Sequence, residues 1–258
     1  MKIIRKLNTK VITPSPRGKR KLGVSAWGAK ATEGKFWVGV FFLLSLLFVA
    51  SCSDEKQEYD PYYNWQARNT EWFMSAVDSA RTAIADAKAQ YGDDWEKHCD
   101  WRMYKSLQQS QSYNSGKVTD SICVHVLHHD TSAVSLSPMW NDTIRISYRG
   151  WLMPSTYKVY VNEQQKDSVR QEVFDQSYYG SFDAEKAIPR LSQVSPFVNG
   201  FHTALQYMIA GDNWLVYIPY QLGYGTTVHG TIPAYSTLLF QIHMAAVYPC
   251  GTGVPDWE

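Results

Sequence analysis

The sequence has 258 residues, of which 45% are hydrophobic and 14% aromatic, enough for one ordinary domain with an export segment and an extension. Its net charge of +1 is unevenly distributed: residues 1–51 hold ten Lys/Arg and one acid, which leaves 15 basic and 23 acidic residues, a net charge of −8, for the rest. A mature chain this acidic excludes nucleic-acid binding through a broad basic surface.

The N-terminal segment has the pattern of an export signal. An apolar run from Phe36 to Ala50 follows the basic stretch and is shorter than the ~20 residues of a membrane-spanning helix. It leads into Ser51-Cys52, and small residues before a cysteine resemble the lipobox of bacterial lipoproteins, in which the cysteine is acylated. We therefore expect a lipoprotein signal peptide over 1–51 and lipidation at Cys52, with an uncleaved signal anchor as the alternative.

Residues 52–62 are acidic and polar and predict a flexible tether. Acidic residues after the lipidated cysteine resemble the surface-export signals of Bacteroides-type lipoproteins. We expect an envelope protein anchored by lipid at the outer membrane and facing the periplasm, with surface exposure as the alternative.

The remaining cysteines do not form a metal-binding pattern. Cys99, Cys123 and Cys250 include no C-x-x-C pair, and their spacing to the histidines fits no zinc site. The sequence therefore predicts no metal site. G-x-S-x-G, H-E-x-x-H and P-loop motifs do not occur either, which disfavours a hydrolase.

Residues 63–90 predict an amphipathic helix, because apolar side chains from Trp65 to Ala87 recur at steps of three and four. Gly92 marks its end. One such helix cannot bury its own apolar stripe, so we expect it to pack on the rest of the chain, with a second copy of the chain as the alternative. We assign 63–115 to a helical N-terminal extension.

From Ser121 onward the pattern becomes that of strands around one short helix. Alternating or β-rich runs lie at 122–127, 144–148, 157–161, 214–218 and 237–247, and a helical run lies at 201–209. This predicts an α+β fold over 116–258, with an antiparallel sheet wrapped around one short helix.

Five blocks of this region resemble the FKBP-type peptidyl-prolyl cis-trans isomerases. In chain order they are DTIRISYRGWL from Asp142, VFDQS from Val173, FVNGFHTALQYM from Phe197, GDNWLVYIPYQLGYG from Gly211 and GTIPAYSTLLF from Gly230. The resemblance covers about residues 120–248 and implies an FKBP-like fold. It also implies an enzyme that accelerates rotation about X-Pro bonds in a noncovalent aromatic pocket, without a cofactor.

The resemblance also implies roles for individual residues. The catalytic set comprises the pocket walls, a backbone N–H donor, a hydroxyl donor and a carboxylate: Tyr148, Phe174, Phe201, Phe240, Val198, Tyr224 and Asp175. Phe197, Ile232 and His229 are expected to contact substrate. Each of these aromatic residues would otherwise be a core or loop residue.

The sequence departs from the family pattern at two places. Phe201 stands where the family commonly has Trp, and 21 residues separate Leu152 from Phe174 where the family often has a few. We expect the insertion to form an extra hairpin near the pocket. These departures leave open an alternative function, a non-catalytic FKBP-fold binding or chaperone module on a surface lipoprotein.

The partners implied are proline-containing unfolded or nascent envelope proteins, and the membrane through Cys52. A homodimer through residues 63–90 is a further hypothesis, since helical extensions mediate dimers in some envelope relatives.

Overall fold

The structure is a computed structural model that describes residues 60–107, 116–130, 136–161 and 164–257. The expected signal peptide, Cys52 and most of the expected tether lie outside the described residues. Within the described part, no helix is long and apolar enough to cross a membrane.

Two helices and nine strands are described. The helices are α1 (Trp65–Tyr91) and α2 (Asn199–Leu205). The strands are β1 (Trp101–Lys105), β2 (Ser121–His128), β3 (Thr143–Trp151), β4 (Ser155–Val161), β5 (Gln164–Arg170), β6 (Val173–Gln176), β7 (Arg190–Gln193), β8 (Asn213–Ile218) and β9 (Leu238–Tyr248). Short 3-10 turns lie at Gly92–His98, Val118–Asp120 and Tyr220–Leu222.

Seven strands form one antiparallel sheet in the order β1-β2-β8-β9-β3-β6. The strand β3 is nine residues long, so two short strands pair with the same edge of it. The seventh strand, β7, pairs with Thr143–Ile146, and β6 pairs with Arg149–Trp151. The predicted α+β class and antiparallel sheet are thereby confirmed.

The main core lies between the sheet and α2. Alternate residues of the strands point toward α2, and Ile122, Val124, Ile144 and Ile146 are fully buried there. Gly200 permits the close approach of helix and sheet, because a Cβ at this position would lie 2.4 Å from Ile218 Cγ2. The short helix therefore sits tightly on β8.

The opposite face of β1, β2 and β8 is covered by α1. Its stripe of Phe73, Ala76, Val77 and Ala80 packs around Cys123, against partly buried residues of β1 and β8. Burial raises the pKa of the Cys123 thiol to about 12, so this cysteine is a packing residue rather than a nucleophile. As a result β2 is buried on both faces.

Buried hydrogen bonds also attach α1 to the sheet. Asn69 Oδ1 accepts a hydrogen bond from the Thr237 backbone N–H at 2.8 Å. The backbone carbonyl oxygen of Asn69 accepts one from the Thr237 hydroxyl at 3.1 Å. The Trp65 indole donates to Ser236 Oγ at 2.9 Å. The helix thus contacts the start of β9.

One boundary expected from sequence differs from the structure. Residues 63–115 were assigned to a helical extension, but β1 at Trp101–Lys105 pairs with β2 as the edge strand of the main sheet. Both α1 and β1 pack in the same domain as the later strands. A boundary at residue 116 would therefore cut the edge strand β1 from its sheet.

The insertion before Phe174 forms the predicted hairpin. β4 and β5 pair with each other over Ser155–Val161 and Gln164–Arg170 as a separate two-stranded sheet.

Candidate functional site

A cavity of about 250 Å³ lies at the N-terminal end of α2, where β3, β6 and β9 meet the loop after β8. Its lining is mostly aromatic, with one carboxylate. The lining residues are Tyr148, Asp175, Pro196, Phe197, Val198, Phe201, Tyr224, His229 and Phe240.

Phe201 forms the centre of the aromatic wall. Its ring, in a residue that is 1% exposed, lies 4.8 Å from Phe240 and 5.8 Å from Tyr148, both edge to face. Phe197 stacks on Phe201 at 4.5 Å. Edge-to-face and offset arrangements at these separations are the favoured ones for aromatic pairs, so the rings hold one another in place.

The backbone of β3 makes room for the rings at Gly150. This glycine lies opposite Phe240 in β9 and Asp175 in β6. A Cβ at position 150 would lie 2.6 Å from both Phe174 Cζ and Phe240 Cε1. The glycine therefore allows Phe174 to pack edge-on against Phe240 at 5.2 Å.

The polar rim is a chain of three side chains. The Tyr148 hydroxyl donates to Asp175 Oδ2 at 3.0 Å and accepts a hydrogen bond from the Arg190 guanidinium at 3.0 Å. Burial and the adjacent Asp175 carboxylate raise the pKa of Tyr148, and Arg190 partly opposes this shift. The hydroxyl therefore stays protonated at neutral pH and acts as a donor.

The loop after β8 closes the cavity on the other side. Tyr224 stacks on His229 at 4.2 Å, and the loop turns through Gly225 and Gly230, which have φ of 73° and 58°. Backbone hydrogen bonds between His229 and Ile232 close the turn. Burial, and then the charge of Asp175, raise the pKa of Tyr224, so its hydroxyl also remains a donor.

Eight of the ten site residues expected from sequence line this cavity. The other two lie beside it: Phe174 packs against Phe240, and Ile232 is buried under the loop with 4% exposure. The described residues of the β4–β5 hairpin are not among those that line the cavity.

Sequence reasoning did not identify Pro196 and Arg190. Pro196 directly precedes Phe197, a predicted substrate-contact residue, so its position in the sequence could have identified it. Arg190 comes from β7, in the stretch between Tyr178 and Ser195 that the family spacing did not align. Only pairing of β7 with β3 brings it to Tyr148. The described residues contain no group of three or more His, Cys, Asp or Glu side chains placed to hold a metal.

Comparison with known proteins places this region in a family. The family of FKBP-type peptidyl-prolyl cis-trans isomerases matches residues 136–245. The outer membrane protein MIP of Legionella longbeachae is 35% identical over 112 residues, and the macrophage infectivity potentiator of Trypanosoma cruzi is 37% identical over 82 residues. These matches cover 43% and 31% of this chain, and 38% and 39% of the lengths of those relatives.

Two solved structures are also similar. A peptidyl-prolyl cis-trans isomerase of Pseudomonas syringae is 21% identical, with a TM-score of 0.36, over 68% of this chain and 95% of that one. FkpA from Escherichia coli is 19% identical, with a TM-score of 0.35, over 85% of this chain and 84% of that one. On the family match and the two relatives, residues 136–245 belong to the FKBP-type peptidyl-prolyl cis-trans isomerase family.

Proposed function

We propose that this chain is a peptidyl-prolyl cis-trans isomerase whose substrate proline enters the cavity at the N-terminal end of α2. The observation that carries the proposal is the ring cluster around Phe201, with Asp175 at its rim. The volume of about 250 Å³ is below the range of about 300–1,000 Å³ typical of sites for whole drug-sized ligands, which suits one small ring.

The reaction needs rotation and breaks no bond. The barrier of about 18–20 kcal/mol is the amide resonance that is lost as the X-Pro bond twists. The planar amide is the more dipolar form, so transfer into a cavity walled by Phe201 and Phe240 costs it more than it costs the twisted form. Catalysis then follows from binding the twisted amide better than the planar one.

Polar groups at the rim are suited to orient the peptide. Tyr224 and Val198 line the cavity. Among the described residues, the Tyr224 hydroxyl and the Val198 backbone N–H have no hydrogen-bond partner. We assign each of them to a substrate carbonyl. Asp175, held by Tyr148, is placed to interact with the dipole of the twisting amide. Phe197 and His229 would contact the flanking residues.

The test is a proline-limited refolding assay on the chain from residue 53. We expect acceleration, reduced by Tyr224→Phe and by Phe174→Ala. Absence of acceleration by protein shown to be folded, for example by circular dichroism, would contradict the proposal.

We place the enzyme in the cell envelope, anchored by lipid at Cys52 to the outer membrane and acting on unfolded or nascent envelope proteins. The support is the signal-like sequence before Cys52 and the name of the Legionella relative, an outer membrane protein. Metabolic labelling with a palmitate analogue, lost in Cys52→Ser, tests the anchor. A homodimer through residues 63–90 would have to use the exposed face of α1, since its apolar stripe packs on the sheet.

The second candidate is a binding module without useful turnover. Phe201 in place of the common Trp is the observation that favours it, because the smaller ring leaves the proline less tightly held. Binding of a pocket-directed macrolide without any rate enhancement would support this candidate over the first.

A further inference from the structure

A second hollow, of about 790 Å³, lies on the α2 side of the sheet at its β1 edge. The Gly92–His98 turn, the ends of β1 and β2, and Tyr207 surround it. Six residues define what we call the acidic cleft: a floor of Tyr104, Tyr207 and Trp214, and a rim of Asp93, Glu96 and Asp100. It shares no lining residue with the cavity at Phe201.

The floor is a stack of aromatic rings. Tyr104 stacks on Tyr207 at 4.0 Å and lies nearly parallel to Trp214 at 5.8 Å. Tyr207 remains 38% exposed, so its ring is accessible from the cleft. Burial raises the pKa of Tyr104 to about 12, so the floor carries no charge of its own at neutral pH.

The floor also contains an unused hydrogen-bond donor. Trp214 is 3% exposed, and its indole Nε1 has no hydrogen-bond partner among the described residues. Buried polar groups normally have a partner, and each exception requires an explanation. A carbonyl oxygen of a bound ligand would supply such a partner.

The cleft keeps a net negative charge, because four acidic residues line it against two cations, Lys97 and Arg102. Lys97 pairs with Asp94 at 2.6 Å. The Arg102 guanidinium donates to the backbone oxygens of Cys99, Trp101 and Glu96. His129 is held by Asp212 at 2.7 Å.

The three rim carboxylates are therefore available to a ligand. Asp93, Glu96 and Asp100 are exposed, and in the described part of the chain none of their side chains has a hydrogen bond or an ion pair.

We propose that the acidic cleft binds extended polypeptide segments that carry lysine or arginine. A side-chain cation over the face of Tyr207 gains a cation–π interaction, and the rim carboxylates attract the same charge. The peptide backbone supplies a carbonyl oxygen that can accept a hydrogen bond from the Trp214 Nε1–H. The net charge of −8 after residue 51 favours the approach of a cationic chain.

The test compares peptide binding to matched variants of the full chain in nonionic detergent. The probe is a fluorescein-labelled, proline-free Gly/Ser peptide with several lysines, and its counterpart has glutamate in place of each lysine. We expect the lysine peptide to bind, with affinity that falls as salt is raised, and the glutamate peptide to bind at least about tenfold more weakly.

The variant that removes the rim charge is Asp93→Asn with Glu96→Gln and Asp100→Asn. The matched control is Glu71→Gln with Asp78→Asn and Asp86→Asn, three exposed acids of α1. We expect about a tenfold loss of lysine-peptide affinity in the rim variant and a change within about twofold in the control. Trp214→Phe, which keeps a ring and removes the N–H, should weaken binding by about threefold to tenfold.

Two results would overturn the inference: equal binding of the two peptides, or equal losses in the rim and control variants, which would assign the attraction to the overall charge. Because the probe has no proline, its binding does not depend on the isomerase. We expect the rim variant to retain refolding activity within about twofold, so failure of the cleft and failure of the proposed enzyme are separable.

Discussion

Tyr148 and Asp175 are joined by a hydrogen bond of 3.0 Å across two neighbouring strands of the sheet, with the tyrosine hydroxyl as donor. Arg190 donates to the same hydroxyl. The proton of Tyr148 is thereby directed toward the carboxylate, and the carboxylate is held at the rim of the cavity. Such positioning is one way in which a side chain can favour the twisted amide without forming a covalent bond.

Removal of this hydroxyl should reduce catalysis more than folding. We expect Tyr148→Phe to lower kcat/KM for proline isomerisation by about tenfold, because a hydrogen bond to a charged group is lost while the ring packing remains. Asp175→Asn should have a similar effect. Tyr63→Phe, at a residue that is 76% exposed, is the control. Activity of Tyr148→Phe equal to that of the control would contradict the role given to the pair.

Gly150 should be intolerant of any side chain. The new methyl of Gly150→Ala would meet Phe174 and Phe240 at 2.6 Å, so the rings must move. We expect a loss of about 1–3 kcal/mol in the free energy of unfolding and a lower kcat/KM, measured by urea unfolding and by the refolding assay. Gly253→Ala, where nothing lies within 4 Å, serves as control and should change neither quantity.

Asn69 should contribute to the stability of the whole domain. Asn69→Ala leaves the Thr237 N–H without its acceptor in a buried position, which costs about 1–3 kcal/mol. Chemical denaturation followed by tryptophan fluorescence measures the loss. The exposed Thr70→Ala on the same helix should be nearly neutral. If both variants unfold at the same urea concentration, α1 does not stabilise the sheet in the manner described.

The free energy of unfolding should decrease as the pH is lowered from about 7.5 to about 5, because of two histidines. Burial lowers the pKa of His202 and of His243. Each histidine is then protonated more readily in the unfolded chain, so the stabilisation is complete above the unfolded pKa of about 6.5 and is lost as the pH falls below it. Urea unfolding at both pH values checks this.

A substitution of the fully buried His202 isolates its contribution to this pH dependence. His202→Gln should flatten the pH dependence, whereas His98→Gln, at an exposed position, should leave it as it was. An equally steep dependence in His202→Gln would contradict a contribution from His202.

Much of the fold could be predicted from sequence because its strands have strong local patterns. Ile144 and Ile146 alternate with polar residues, and the short helix around Phe201 is followed by the strong strand at 214–218. The two-sided burial of β2 could not be predicted. Cys123 alternates with Ile122 and Val124 as a solvent-facing residue would, and only the packing of α1 buries it.

The candidate site was predicted as far as the family blocks extend. Residues inside a block, such as Tyr148 and Tyr224, were identified by position alone. Arg190 lies outside every block, and its contribution depends on the pairing of β7 with β3 across more than forty residues of chain. Local periodicity contains no information about such a contact.

The double covering of β2 has an evolutionary consequence. Val77 on α1 and Cys123 on β2 belong to one tightly buried cluster, so we expect a larger side chain at either position to require a smaller one at the other. Across homologous chains that keep this helix, these two positions should co-vary, whereas homologues that lack the helix should carry a polar residue where Cys123 stands.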